Sequence, residues 1–344
     1  PALPAGAARW RYLADDAART FGRVAATFER EYVFCWLDWD GDNILADGGI
    51  IDYGSVRQFG LFHREYRFQD GPRWSTTLTE QRRKAREIVQ AFAQVRDFLI
   101  TGVKPPLRSL RHDPVLQAFD DSFAATRDRL LLRDAGFDDR AQALLASRHA
   151  GTVRRFDRAH AHFERARAAR GPLRLPDGIT WNAIFSVRDL MRELPARLLA
   201  SGGPIDAREI VRIAATPYAS ARDRRVTAHR ARRARELQTA YLEMVAVAAS
   251  ARGWSPPRML VELQERSARL NAFGRITGDA VAYAADRIAR ERSRVDPTTL
   301  YAIVERFVAE LTRIPETPAA TKSLAVRSRN ARRVFDALID TAHH

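Results

Sequence analysis

Apolar residues recur every three or four positions over most of this chain, the period of amphipathic helices, and the pattern predicts a mainly α protein. From Arg9 to Arg30 the stripe is Trp10, Leu13, Ala17, Phe21, Val24 and Phe28. A second helix is expected from Thr77, because Thr77 and Glu80 have the spacing of a capping box. It carries Ala85, Ile88, Phe92, Val95 and Leu99 to a stop at Thr101-Gly102, with Pro105-Pro106 beyond. From Asp113 onward nearly every segment reads as helix. Asp113-Pro114, Pro256-Pro257 and Asp296-Pro297 place proline in a first turn. Breaks are expected at Gly171-Pro172, Ser201-Gly202-Gly203-Pro204 and Gly253-Trp254-Ser255-Pro256. Stripes such as Trp181, Ile184, Phe185, Leu190, Leu194 and Leu198, or Leu300, Ile303, Val304, Phe307 and Leu311, are expected in the core. No strict repeat at a solenoid period runs through the sequence.

The pattern changes between Glu31 and Gly60. Asn43-Ile44-Leu45-Ala46 and Gly49-Ile50-Ile51-Asp52 are short apolar runs joined by Asp47-Gly48, which suits a two-residue type I′ turn and predicts a β-hairpin. In that register Asn43 faces Asp52, with Cβ atoms about 4.5 to 5.5 Å apart. One amide oxygen and one carboxylate at this separation suit a hard cation such as Mg²⁺, which takes one or two protein oxygens and fills its other positions with phosphate and water. Asp42, one residue earlier, could orient or deprotonate a hydroxyl nucleophile beside the metal. Asp-Asn and Asp-Gly are also ordinary turn residues, so a hairpin with polar ends requires no metal. Asp38, Asp40 and Asp42 alternate as in a calcium-binding EF-hand, but Asn43 stands where that loop needs glycine and Gly49 where it needs glutamate.

Taken together, Phe34-Cys35, the adjacent Asp42-Asn43, the hairpin and Ile51-Asp52-Tyr53-Gly54 resemble the SelO family, kinase-fold proteins that transfer AMP from ATP to protein hydroxyls. The resemblance covers Phe34 to Gly54. It implies a protein adenylyltransferase with Asp42 as catalytic base and with Asn43 and Asp52 holding Mg²⁺ and, through it, ATP. It implies a kinase-like C-terminal lobe with a small catalytic β-hairpin and a long helical extension, residues 1–110 forming the lobe core and 111–344 the helical region. Protein substrates would present Ser, Thr or Tyr hydroxyls. Three departures mark a divergent member: Trp36-Leu37 in place of His-Gly, Ser55 in place of proline, and no cysteine near the C-terminus. Roughly thirty residues precede the stretch, too few for a lobe with a glycine-rich lid and a phosphate-binding lysine, so the site is expected to be incomplete in this chain. A non-catalytic helical binding protein that kept the lobe is the alternative, and a basic nucleic-acid-binding protein comes third.

Charge adds one candidate. The chain has 57 basic and 42 acidic residues, a net charge of +15, and only Lys84, Lys104 and Lys322 are lysines. An excess of arginine over lysine is also what a GC-rich genome produces. The densest run, Arg222 to Arg235, is opposed only by Asp223 and is a candidate surface for an acidic partner or a phosphate backbone. No aromatic residue interleaves it, which argues against stacking on bases. Cys35 is the single cysteine, which excludes an intrachain disulfide and suits a reducing, cytoplasmic compartment. No stretch has the ~18 apolar residues of a membrane helix, and no signal peptide is expected. His160 and His162 are two apart, so on a helix they point in different directions and do not share a metal.

Overall fold

The computed structural model describes residues 4–35, 51, 56–58, 65–66, 75–174, 180–271, 278–312 and 324–342. Helices occupy 73% of these residues, and twelve α-helices are found among them. The mainly helical expectation holds.

Helix α1 (Gly6–Arg30) follows the first predicted stripe. Its face of Ala14, Ala18, Phe21, Ala25 and Ala26 packs on α2 (Leu78–Thr101) and α3 (Pro114–Asp134), around Ile88, Val89, Phe119 and Phe123. Small residues let α1 and α3 approach closely: a Cβ on Gly22 would lie 2.6 Å from the Phe119 carbonyl oxygen. Phe21 and Phe119 are fully buried, each removal of a ring from water contributing roughly 1.5–3 kcal/mol. Because α3 lies beyond residue 110, this core joins segments on both sides of the division expected there. The capping box of α2 is formed as predicted, with Thr77 Oγ1 accepting from the Glu80 amide at 3.1 Å and the Glu80 carboxylate accepting from the Thr77 amide at 2.7 Å. Gly102, at φ 74°, closes the helix in the left-handed region that glycine adopts without strain.

A larger core lies among the end of α3, α4 (Asp139–Arg148), α5 (Ala150–Arg165), α6 (Val187–Ser201), α7 (Ala207–Ala214), α8 (Ala228–Ser250) and α9 (Pro256–Leu270). Here α5 packs on α8 and α6 on α9. Pro195 lies inside α6 and has no amide hydrogen to give the Met191 carbonyl one turn back. Ser267 of α9 supplies the missing donor, its Oγ lying 2.6 Å from that carbonyl. The proline is thereby tolerated and α6 is tied to α9. Three further helices, α10 (Gly278–Glu291), α11 (Pro297–Thr312) and α12 (Leu324–Ala342), have a core of their own around Leu300, Ile303, Phe307, Phe335 and Ile339.

The strands are short. β1 (Val33–Phe34) pairs antiparallel with β2 (Arg57–Gln58), and β3 (Glu65–Tyr66) pairs antiparallel with β4 (Thr76–Thr77). A third pair follows the break expected at Gly171-Pro172: β5 (Leu173–Arg174) runs against β6 (Thr180–Trp181), and Ala183 and Phe185 bridge to Arg167 and Ala215. Trp181 to Phe185 are therefore extended, although Ile184 and Phe185 are buried as expected. The helical period misleads here because Ser186 caps α6, its Oγ accepting from the Asp189 amide, so the helix starts only at Val187. No described helix is long and apolar enough to cross a membrane.

Candidate functional site

Asp42, Asn43 and Asp52, and with them the predicted hairpin and its cation pair, lie outside the described residues. Of the predicted strands only Ile51 is described, at a bend and 58% exposed. What is described is the frame from which this stretch departs and to which it returns.

The frame begins at the end of α1. Tyr32 has φ 53°, in the left-handed region that a bulky side chain rarely adopts. Burial of its ring holds it there, with its hydroxyl donating to Glu164 Oε1 at 2.6 Å. The reversal turns the chain out of the helix and into β1. Phe34 then enters the larger core, and Cys35 enters the core of α1, α2 and α3, as alternate residues of an extended chain do. Val56 returns to that same core immediately before β2. In the ladder Val33 faces Gln58 and Phe34 faces Arg57. The two ends of the intervening segment are thus held side by side, roughly 4.5 to 5.5 Å apart. Farther along, Glu65 of β3 accepts from Asn182 Nδ2 at 3.1 Å and lies 3.7 Å from Arg167 Nε, which ties the chain after the stretch to the end of α5 and to the segment before α6.

Beneath the frame is a chain of charges. Arg188 and Arg133 both donate to Glu31, Arg133 also donates to Asp134 at 2.9 Å, and Arg30 Nε donates to the same carboxylate at 2.6 Å. The Asp134 side chain is 2% exposed and that of Arg188 4%. Burial would raise the Asp134 carboxyl, but the guanidiniums of Arg30, Arg188 and Arg133 overcome it and hold the group below its ordinary range. This node joins the end of α1, the end of α3 and the start of α6. Burial also raises the Tyr32 hydroxyl, reinforced by Glu164, and raises the Cys35 thiol, so both stay protonated at neutral pH. A buried neutral thiol is a packing residue, poorly suited to nucleophilic work.

None of Glu31, Tyr32, Arg133, Asp134 or Arg188 stands out in the sequence, because, the adjacent Arg133 and Asp134 apart, the partners come from distant segments. Tyr32 and Glu164 are 132 positions apart. The histidines do diverge: His160 turns into the core and His162 lines a cleft between α5 and α8. The arginine run from Arg222 to Arg235 also divides. Buried Asp223 organises a turn by accepting from the amides of Ala169 and Ser220, while Arg230 and Arg233, on α8, face the cleft. No group of three or more His, Cys, Asp or Glu side chains suited to a metal occurs among the described residues. No family model, curated protein or solved structure matches the chain.

Proposed function

We propose that this chain carries the metal- and nucleotide-binding lobe of a divergent SelO-like adenylyltransferase with a kinase-like fold, working in the cytoplasm on protein hydroxyls. The carrying observation is the β1–β2 ladder, because it closes the segment that contains Asp42, Asn43 and Asp52 at its base. A closed loop limits how far those residues can separate and reduces the conformational entropy lost when they converge.

The donor set is all hard oxygen, which fits Mg²⁺ and the phosphates of ATP. Asn43 and Asp52 would hold the cation, which would supply charge neutralisation at the phosphates, and Asp42 would orient the acceptor hydroxyl and take its proton. The buried node and Tyr32 keep the root of the loop rigid, so catalysis is mainly positioning.

The test is transfer of label. Protein expressed from its whole gene, given Mg²⁺ and ATP labelled at the α-phosphate, is expected to label protein hydroxyls, whereas γ-phosphate label is not incorporated. Asp52→Ala abolishes labelling by removing the carboxylate. Asp42→Ala slows transfer more than it weakens nucleotide binding. Phosphate additions in intact-mass spectra would make the protein a kinase, and no modification of any protein would leave the non-catalytic binding protein.

A further inference from the structure

The described lining of the cleft between α5 and α8 comes from residues 155–240, outside the sequence of the proposed catalytic stretch. The two helices run antiparallel, since Arg155 near the start of α5 pairs with Glu243 late in α8, while His162 near the end of α5 meets His229 in the first turn of α8. Between them is a recess of about 610 Å³, the size of a small-molecule site. Five arginines line it against one carboxylate, Asp157. A second recess of about 510 Å³ adjoins it, sharing Arg158 and Arg233 and adding Arg155, Arg232, Arg235 and one carboxylate, Glu236, which lies 2.6 Å from Arg233. The pair form one groove that follows α5 from Arg165 back to Arg155, roughly 15 Å at the helical rise.

Several of these cations lack the partners that arginines normally find. Arg158 and Arg165 are exposed and have no carboxylate partner among the described residues. Arg230 donates to the backbone carbonyls of Asp223 and Arg225, but its Nε is buried without a partner. Burial lowers its affinity for its proton, against only the pull of Asp223. His162 Nε2 is likewise buried and unpartnered. Its ring packs edge-on against His229 at 4.8 Å. Burial first, then His229, Arg230 and Arg233, push its pKa down to about 4, with Glu236 opposing. Crowded positive charge of this kind is unfavourable until an anion enters, and arginine forks on facing helices match phosphate oxygens.

We infer that the α5–α8 groove binds a polyphosphate chain, with Arg158, Arg165, Arg230 and Arg233 on its phosphates and His162 hydrogen-bonded to it. The groove's length favours a chain over a single phosphate. Among the described residues its lining has no aromatic side chain beyond the two imidazoles, which argues against a platform for bases.

Inorganic tripolyphosphate, titrated calorimetrically without Mg²⁺ at 0.15 M NaCl, is expected to bind at least tenfold more tightly than orthophosphate and no more weakly than ATP. The double variant Arg158→Glu/Arg165→Glu is expected to melt like the wild type and bind at least tenfold more weakly. In the wild type, tripolyphosphate should shift the NMR resonances of His162 and His229 before those of other histidines, a readout that does not depend on the variant folding. Unchanged affinity in a folded double variant overturns the inference, as does a histidine response elsewhere in the chain. A preference above tenfold for ATP, or tighter binding of a single-stranded oligonucleotide, also overturns it, because either shows that bases are being read.

Discussion

The charged node at the end of α1 and the groove between α5 and α8 are built from the same residue type with opposite accounting of charge. In the node Arg30, Arg133 and Arg188 share two carboxylates, and every guanidinium has one within hydrogen-bond reach. In the first recess of the groove Arg167 and Arg233 have Glu65 and Glu236 within 3.7 and 2.6 Å, but Arg158, Arg165 and Arg230 have no carboxylate partner among the described residues, and the lining Asp157 is itself 3.6 Å from Arg127 on α3. A buried pair that is complete holds segments in register, whereas an incomplete set on a surface is free to take a ligand. Helix α5 belongs to both, with Glu164 turned to Tyr32 and His162 to the groove. The net charge of +15 cannot separate these roles. Pairing separates them.

The largest effect is expected at Asp134. Asp134→Ala leaves Arg30 and Arg133 without that carboxylate in a buried site, a loss of roughly 3–5 kcal/mol by the general cost of breaking a buried pair. The folded-state pKa of Asp134 is depressed, so its contribution is present above the unfolded carboxyl value and is lost as pH falls through the folded value. Denaturant melts should therefore show a wide gap between variant and wild type at pH 7 that narrows below about pH 4. A gap that is small at pH 7 would place the node with the groove, as surface charge.

The next effect concerns His160, buried among Phe156, Arg30, Glu164, Asp157 and Asp134 with its Nε2 unpartnered. Burial and then Arg30 lower its pKa to about 4, against the three carboxylates. Between the unfolded histidine value near 6.5 and this folded value, the unfolded chain takes up a proton that the folded chain refuses. Stability therefore falls as pH drops through that window and the loss levels off below it. His160→Leu cannot charge, so it should lose less stability across the window by on the order of 3 kcal/mol. Parallel pH profiles for variant and wild type would show that acid sensitivity in this range comes from elsewhere.

The parts of this architecture readable from the sequence were those fixed by neighbours along the chain. The capping box at Thr77 and Glu80, the stop at Gly102 and the proline starts at Pro114, Pro256 and Pro297 each depend on residues within a turn of one another. The extended segment from Trp181 to Phe185 was not readable, because its partners Leu173, Arg167 and Ala215 come from elsewhere and its apolar spacing mimics a helix. The stretch proposed as catalytic is legible from motif alone, and the structure describes the ladder at its two ends rather than Asp42, Asn43 and Asp52. The groove was half visible: Arg230 to Arg235 belong to the conspicuous run, but Arg158, His162 and Arg165 are scattered along another helix and join it only through packing.

The smallest effect carries a diagnostic sign. Arg158→Ala removes one of the uncompensated cations of the groove, and a surface change of this kind usually alters stability by no more than about 0.5 kcal/mol. Its direction should nevertheless be neutral to stabilising, the reverse of losing a node residue, because repulsion between Arg158 and the groove's other unpaired cations, Arg165 and Arg230, is relieved. That repulsion is screened by salt, with a Debye length of about 10 Å at 0.1 M and 3 Å at 1 M. Thermal melts of the wild type should therefore rise with NaCl more than those of Arg158→Ala. At equal ionic strength phosphate should raise the wild-type melting temperature further than chloride, by mass action on the folded state. If chloride and phosphate act alike and the variant is destabilised at every salt concentration, Arg158 serves packing, and the groove resembles the node in kind.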